Sequence, residues 1–221
     1  MREILVTGGS GFLGRALIAE LLSRGHRVRA LVRASSLERL PAGCEGLVGD
    51  ALAEADIAGA LRGADTLVEL VGTPSPAPWR AEQFRSIDRV ACLAALAAAR
   101  HGGVRHLVYL SVAQPAPVMR AYLDVRAECE AAIRASGVPA TCVRPWHILG
   151  PGRRWPLVLV PLYWTLERLP GTRASARRLG LIRLDEIVHA IAQSIEHPPD
   201  GVRILDREAI AQAAAVYNSR P

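Results

Sequence analysis

Residues 6–14, VTGGSGFLG, place four glycines directly after an apolar run and directly before the helix-like stretch RALIAELLSRG. Glycine adopts positive φ angles and has no Cβ to hold a ligand away from the main chain. In dinucleotide-binding folds, a strand, a glycine-rich turn and a helix N-terminus bind a pyrophosphate through backbone N–H groups. The stretch therefore predicts a dinucleotide site made by Gly8, Gly9, Ser10, Gly11, Phe12, Leu13 and Gly14. The alternative is a structural glycine turn that binds no ligand.

The rest of the chain alternates between short apolar runs and amphipathic stretches. The apolar runs predict strands at residues 3–8, 26–33, 46–50, 65–72, 105–112, 139–145 and 201–206. The amphipathic stretches predict helices at 14–25, 56–63, 80–101 and 118–136, a strand and helix within 181–199, and a helix at 207–217. This order is typical of a Rossmann-type α/β fold, a doubly wound parallel sheet with helices on both faces. We predict one domain over residues 1–221, with a small C-terminal substrate-side lobe at 146–185.

The composition narrows the class of protein. Of the 221 residues, 50% are hydrophobic, and no apolar run reaches the ~20 residues that span a bilayer. The net charge of +6 rests on 27 arginines without one lysine, which excludes Schiff-base chemistry. Because these arginines are scattered and aromatic residues are few, we predict no nucleic-acid partner. The cysteines lack metal-ligand spacing and the sequence begins with a strand pattern, so we expect a metal-free, cytoplasmic protein.

The end of the second predicted strand indicates the choice of cofactor. A carboxylate there would bind the ribose hydroxyls of NAD, but no Asp or Glu occurs between residues 21 and 37. Arg33 ends the strand, and Ser35 and Ser36 follow it, a combination that suits the 2′-phosphate of NADP. We therefore predict NADP, with NAD as the alternative.

Two later strands end at residues expected along the same cofactor. Asp50 ends the third strand and Ala51 follows it, near the adenine, and Gly72 and Thr73 end the fourth, along the ribose. Each of them alone is also an ordinary turn residue. Glu69, inside the fourth strand, is a buried carboxylate that is costly unless paired, and we predict no chemistry for it.

Six segments together resemble the short-chain dehydrogenase/reductase superfamily, in its extended and atypical, epimerase/dehydratase-like branch: TGGSGFLG, LVR, VGD, YLS, YLDVR and VRPWHILGPG. The resemblance implies a catalytic Tyr and Lys four residues apart on one helix face, beside a Ser at the end of strand five. In that family the Tyr exchanges a proton with the substrate oxygen while a hydride moves to or from the cofactor. The Lys lowers the pKa of the Tyr and holds the nicotinamide ribose.

The positions that carry this chemistry are altered in the present chain. Tyr122 and Arg126 hold the Tyr and Lys positions, and a guanidinium still lowers the pKa of a nearby phenol but lacks the compact geometry of lysine. Ser111 lies one residue before the catalytic serine position, which Val112 occupies. We predict Tyr122, Arg126 and Ser111 as catalytic residues. The alternative for Tyr122 and Arg126 is an ordinary exposed helix pair.

The resemblance also implies contacts after the sixth strand. Pro145 and Ile148 are expected near the cofactor, and Trp146 and His147 near the substrate. For His147, a loop histidine with one hydrogen bond is the alternative.

A proline-interrupted apolar segment, residues 155–170, falls where the family places its substrate-side helix. Trp155 and Tyr163 are therefore predicted to line a hydrophobic substrate pocket. The alternatives are core packing, or a surface that contacts a membrane interface, where Trp and Tyr are favoured.

Three functions are compatible with these features. The first is an NADP-dependent oxidoreductase that acts on a small hydrophobic carbonyl or quinone-type substrate, as a monomer or homodimer. The second is a non-catalytic NADP(H)-binding sensor or assembly factor, which Val112, Arg126 and the lack of lysine favour. The third is a sugar-nucleotide epimerase or dehydratase, ranked last because the C-terminal part leaves little room for a sugar-nucleotide lobe.

Overall fold

Short parallel strands build the sheets of the computed structural model, which describes residues 1–74, 76–152, 158, 171 and 173–218. The strands are β1 (Glu3–Thr7), β2 (Arg27–Val32), β3 (Glu45–Val48), β4 (Thr66–Glu69), β5 (His106–Leu110), β6 (Ala140–Val143), β7 (His147–Leu149), β8 (Leu181–Arg183) and β9 (Val202–Leu205). Among the described residues, one sheet has the order β3-β2-β1-β4-β5-β6-β9, and β7 pairs with β8 in a second. The predicted parallel α/β fold is confirmed, and each strand of the large sheet is somewhat shorter than its predicted range.

Helices cover both faces of the large sheet. They are α1 (Phe12–Ser23), α2 (Glu54–Leu61), α3 (Val90–His101), α4 (Arg120–Ser136), α5 (Arg173–Arg178), α6 (Leu184–Glu196) and α7 (Arg207–Asn218). The predicted end of α4 is confirmed, because Gly137 adopts the left-handed conformation, with φ of 73°, directly after the helix.

The period-two alternation of the strands sends apolar side chains into two separate cores. In β1, Ile4 and Val6 pack with α1 and α6, whereas Leu5 packs on the opposite face with α2, α3 and α4. All three side chains are fully buried, and each contributes roughly 1.5–3 kcal/mol on leaving water. The sheet is therefore buried on both faces, as its continuous apolar strands require.

The strand order places a crevice at the carboxyl ends of β1 and β4. The chain runs from β1 outward to β2 and β3, and then returns to β4 on the other side of β1. The connections after β1 and β4 consequently leave the sheet in opposite directions. Ligands of open α/β sheets bind at such a switch point.

The helix predicted over residues 80–101 is not one regular α-helix. A short helical turn at Pro78–Arg80 and Ala81–Gln83 runs into a π-helical segment, Phe84–Arg89, and only then into α3. A π-helical turn widens the helix by one residue per turn and rotates the side chains within it. The predicted helix is present, but the sequence did not predict its π-helical turn, within which Asp88 is bonded to Thr73 and Arg126.

Main chain packs directly on main chain at the turn between β1 and α1. Gly8 has a φ of 74°, and a Cβ on it would lie 2.8 Å from the carbonyl carbon of Leu70, just after β4. A Cβ on Gly14 would collide with the Gly8 carbonyl oxygen and with Gly9. Gly9 is closed in by the side chains of Ile18 and Ala30. These three glycines are thus needed for the packing of the chain itself.

Several sequence predictions fall on residues outside those described. Trp155, Tyr163 and much of the centre of the predicted lobe at 146–185 belong to this group, so the lobe and the membrane contact stay predictions. The single domain, the cytoplasmic location and the oligomeric state also stay predictions. Within the described ranges, no helix combines the length and hydropathy that crossing a bilayer requires.

We expect Gly14→Ala to lower the free energy of unfolding by about 2 kcal/mol or more, because the added Cβ meets backbone that cannot move aside. Urea unfolding followed by circular dichroism measures this change. Gly59→Ala is the matched control, since Gly59 lies exposed in α2 with no atom within 4 Å of an added Cβ. We expect that substitution to stabilise the protein by up to about 1 kcal/mol. An unchanged stability in Gly14→Ala would contradict the close approach.

Candidate active site

The N-terminus of α1 presents uncapped backbone amides at the switch point. Gly11 precedes the helix in an extended conformation, with no side-chain cap and no acidic residue in the first turn. The Gly11 N–H donates to the Gly8 carbonyl at 3.0 Å, which closes the turn. The first N–H groups of a helix lack partners within the helix, and its positive end favours an anion. The turn therefore fits a diphosphate, and Gly11 and Ser10 are half-buried at its opening.

The remaining predicted residues of the turn serve the fold as well. Leu13 is 6% exposed and belongs to the core beneath α1. The Phe12 ring contacts the end of β7, since a Cβ on Gly150 would lie 2.8 Å from its Cζ. The turn is thus attached to the segment that follows β6, where cofactor contacts are also predicted.

Arg33 is available for an anion at the end of β2. Its side chain is exposed and makes no hydrogen bond or ion pair within the described part of the chain. Ser35 is exposed, whereas Ser36 is 5% exposed and its N–H donates to the Arg33 carbonyl at 2.8 Å. Arg33 and Ser35 are consequently the accessible members of the predicted phosphate group.

Asp50 is partly occupied by its own turn. Its Oδ1 accepts the N–H of Leu52 at 2.9 Å, and its N–H donates to Oδ2 of Asp56 at 2.7 Å. These bonds fix the connection to α2, and Ala51 is half-buried within it. The predicted adenine contact of both residues stays a prediction.

Arg126 is buried at the carboxyl edge of the sheet rather than exposed. Its side chain is 3% accessible, and its Nη1 donates to the Tyr109 hydroxyl at 3.0 Å and to the Leu110 carbonyl at 2.7 Å. Its Nη2 forms a short ion pair with the carboxylate of Asp88. The alternative of an ordinary exposed helix pair is therefore wrong for Arg126.

Tyr122 lies one helical turn before Arg126, half-buried, with the guanidinium carbon 5.1 Å from its ring centroid. Its ring also packs against Phe84 of the π-helical segment, with 4.9 Å between ring centroids. A cation beside the ring stabilises the negative charge that the phenol oxygen carries after proton loss. The two residues therefore form the pair that the i, i+4 spacing predicts.

Asp88 joins the end of β4 to α4. Its Oδ2 accepts the Thr73 N–H at 3.0 Å and the Thr73 hydroxyl at 2.5 Å, and its Oδ1 accepts Nη2 of Arg126. Gly72 lies directly over this ion pair, because a Cβ on it would be 2.6 Å from Nη2. Gly72 and Thr73, predicted as cofactor contacts, thus also hold the Arg126–Asp88 pair.

The hydroxyl of Ser111 is bonded to a buried carboxylate. It donates to Oε1 of Glu130 at 2.6 Å, and Arg144 donates to the same carboxylate. Burial would raise the pKa of Glu130, but the hydrogen bonds from Arg144 and Ser111 outweigh it and lower that pKa. Val112 follows with 4% exposure. The catalytic role of Ser111 stays a prediction, and the structure gives its hydroxyl a structural partner.

Glu69 faces the same interior as Arg126. Its Oε1 accepts the N–H of Val71 at 2.9 Å, and its buried Oε2 has no hydrogen-bond partner among the described residues. Burial raises the pKa of Glu69 to about 8, although the nearby Arg126 charge lowers it in part. Glu69 is therefore mostly uncharged at neutral pH.

The residues predicted near the nicotinamide and substrate follow β6. Pro145 is buried, and its carbonyl accepts the N–H of Ala113 at 3.0 Å, which ties this segment to the end of β5. His147 and Ile148 begin β7, and the Trp146 ring lies edge-on to His147 at 5.8 Å. All four therefore lie just beyond the carboxyl end of β6.

Two residues of the site, Asp88 and Glu130, were not predicted from the sequence. Both lie on buried helix faces: Asp88 is four residues after Phe84 and three before Ala91, and Glu130 is three before Ile133. A carboxylate in an apolar stripe of helical spacing signals a buried partner. The partners themselves, Arg126 and Arg144, do not follow from that spacing.

Comparisons with known proteins identify the family to which the chain belongs. A family model described as NAD(P)H-binding matches residues 8–155. The chain is 29% identical over 185 residues to a ceramide reductase of Caulobacter vibrioides, covering 83% of this chain and 57% of that protein. It is 36% identical over 116 residues to a 3β-hydroxysteroid dehydrogenase/Δ5→4-isomerase of Mycobacterium tuberculosis, covering 49% of this chain and 31% of that protein. The chain thus spans between about a third and just over half the length of these relatives.

The fold is also found in solved structures. The enzyme WbmH of Bordetella bronchiseptica, in complex with NAD⁺, has a TM-score of 0.70 at 17% identity, covering 99% of this chain and 81% of that one. Such an identity shows the fold alone. With the family match and the reductase and dehydrogenase relatives, the chain belongs to the NAD(P)H-binding family of the short-chain dehydrogenase/reductase superfamily.

The raised pKa of Glu69 makes stability depend on pH. The folded chain keeps this proton up to about pH 8, whereas the carboxyl of an unperturbed Glu loses its proton near pH 4.5. The contribution to stability is therefore complete below the unfolded pKa and is lost as the pH rises through about 8. We expect Glu69→Gln, which keeps an acceptor for Val71, to gain stability over the native chain between about pH 5 and 8, by up to about 1.4 kcal/mol per pH unit.

Urea unfolding at several pH values measures this gain. Glu130→Gln is the control of opposite sign, because the lowered pKa of Glu130 stabilises the fold above its unfolded pKa and the benefit is lost on acidification. Parallel pH profiles for the native chain and Glu69→Gln would contradict the assignment.

Proposed function

We propose that the chain is an NADP(H)-dependent oxidoreductase that interconverts a carbonyl and an alcohol on a small hydrophobic substrate, with Tyr122 as the proton donor in reduction. The carrying observation is the half-buried Tyr122 beside the buried Arg126, at the edge where the amides of the glycine turn lie uncapped. When bound, the nicotinamide supplies or accepts the hydride. Tyr122 gives its proton to the carbonyl oxygen, Arg126 stabilises the phenolate that remains, and a proton from water restores the phenol.

Arg33 supports the preference for NADP. Its free guanidinium and the exposed hydroxyl of Ser35 can both donate to a 2′-phosphate, and no acidic side chain of residues 21–37 competes for the ribose. Arginine binds phosphate with two parallel hydrogen bonds, which adds geometric selectivity to charge.

The relatives support a hydrophobic substrate. One is named a ceramide reductase and another a 3β-hydroxysteroid dehydrogenase, and both names denote action on lipids. The apolar residues 155–170 agree with such a substrate, with Trp155 and Tyr163 proposed as pocket residues. We propose the same for Trp146 and His147, which lie beyond the carboxyl end of β6.

A non-catalytic NADP(H)-binding protein is the second candidate, and one observation favours it. At the lysine position Arg126 is bound by Asp88, and at the serine position the apolar Val112 is buried while the neighbouring Ser111 is bonded to Glu130, so these side chains have structural roles within the fold. Nothing in the described residues favours the epimerase or dehydratase alternative.

We expect Arg33→Gln to weaken NADPH binding tenfold to a hundredfold while NADH affinity changes little, because only NADPH carries the 2′-phosphate. Fluorescence titration with each nucleotide measures both affinities. Arg27→Gln removes an equal exposed charge at the opposite end of β2 and is the matched control. An equal loss for both nucleotides in Arg33→Gln would overturn the NADP preference.

We expect Tyr122→Phe to lower the rate of NADPH-dependent reduction of a long-chain methyl ketone or a lipophilic naphthoquinone about 10²- to 10⁴-fold, with NADPH affinity unchanged. Steady-state absorbance at the reduced nicotinamide gives the rate. Equal turnover in both proteins would remove Tyr122 from the reaction. Tight NADPH binding without turnover of any carbonyl by the native chain would establish the second candidate.

A further inference from the structure

The buried ion pair beneath Gly72 contains the carboxylate of Asp88, to which the proposed reaction assigns no role. Arg126 alone would stabilise a phenolate on Tyr122, yet Asp88 neutralises it at hydrogen-bond distance. Asp88 is fully buried and accepts three hydrogen bonds, two from Thr73 and one from Arg126. The carboxylate is therefore part of a fixed arrangement rather than a mobile counter-ion.

Five elements around Arg126 contribute titratable groups. These groups are Tyr122 and Cys129 on α4, Asp88 on the π-helical segment, Glu69 on β4, Tyr109 on β5 and Cys92 on α3. Burial raises the pKa of Tyr109, and it raises that of Glu69 to about 8. A hydrogen bond with Cys129, together with burial, raises the pKa of Cys92. The pKa of Cys129 is lowered to about 7, first by a hydrogen bond with Cys92. Asp88 is the carboxylate of this group that forms an ion pair with Arg126.

We propose that Asp88 is a positioning residue that holds Arg126 beneath Gly72 and offsets its charge, so that Tyr122 keeps its proton until a substrate oxygen takes it. This inference rests on the proposed function, because the proposed reduction requires Tyr122 to donate a proton. A lone buried cation 5.1 Å from the ring would favour the phenolate, which cannot act as an acid. The ion pair keeps the guanidinium in place for the moment when charge develops on the phenol oxygen.

The test is a double-mutant cycle of Asp88 and Arg126, in which the ultraviolet absorbance of tyrosinate measures the pH at which Tyr122 ionises. The titrations use the full chain in a Glu69→Gln background, so that no second carboxylate responds to the changes. Each variant is paired with its own Tyr122→Phe counterpart, and the difference between the two titrations reports Tyr122 among the four tyrosines. This readout requires neither turnover nor cofactor.

We expect Asp88→Asn, which leaves Arg126 as an uncompensated cation, to make Tyr122 ionise about one pH unit lower. Arg126→Gln, which leaves Asp88 alone, should move the ionisation upward. The double variant Asp88→Asn/Arg126→Gln should return close to the starting value, because both charges are gone. Glu128→Gln removes an equal charge from the exposed face of α4 and should change nothing, because water screens it.

A merely structural role for Asp88 would alter stability and leave the ionisation of Tyr122 unchanged, and that result overturns the proposal. If Asp88→Asn does not fold, the comparison of Arg126→Gln with the double variant measures the same carboxylate effect. In the activity assay, Asp88→Asn should move the alkaline loss of reductase activity to lower pH. Absence of turnover in the native chain would overturn the proposed function, whereas the tyrosinate titration would still decide the role of Asp88.

Discussion

The approach of main chain to main chain between the end of β1, the start of α1 and the end of β4 is the constraint on which the site depends. The Gly8 carbonyl lies against Gly14, and Gly8 lies against the backbone after Leu70, with no room for a Cβ at either glycine. This contact fixes the N-terminus of α1 at the switch point and leaves its amides uncapped. Glycine therefore has two effects in one turn: it allows the backbone segments to pack closely, and it leaves the N-terminus of α1 without a side-chain cap.

Buried charge organises the other half of the crevice. The register of the parallel sheet aligns Thr7, Glu69 and Tyr109 across β1, β4 and β5, and α4 sets Arg126 over this row. Burying charges is costly unless they are paired and hydrogen-bonded, and the Arg126–Asp88 and Arg144–Glu130 pairs meet that condition. The four groups of these two pairs come from α4, the π-helical segment and the residue after β6, so the fold must be complete before their charges are compensated.

The contacts of Arg126 and Ser111 show how the fold accommodates the residues that differ from the superfamily pattern. An arginine in the lysine position has a longer reach and more donors, and here those donors are bound by Asp88, the Tyr109 hydroxyl and the Leu110 carbonyl. The serine next to the catalytic position is likewise bound by Glu130. The guanidinium beside Tyr122 is therefore bonded to one carboxylate and two oxygen acceptors, whereas the resemblance to the superfamily implies a lysine at this position.

Most strands and helices, in their order along the chain, follow from the sequence, as do the glycine turn after β1 and the place of Arg33 at the end of β2, since each depends on residues within about one element. The strand β7 and the helix α5 were not predicted. Hydrophobic periodicity and glycine placement are local signals, and they identified the parallel α/β fold and the class of cofactor. The tertiary structure alone decided that Arg126 is buried, that Asp88 neutralises it and that Glu130 holds Ser111. The physical reason is that these partners lie 38 and 19 residues apart, and only strand register and the π-helical turn bring them together.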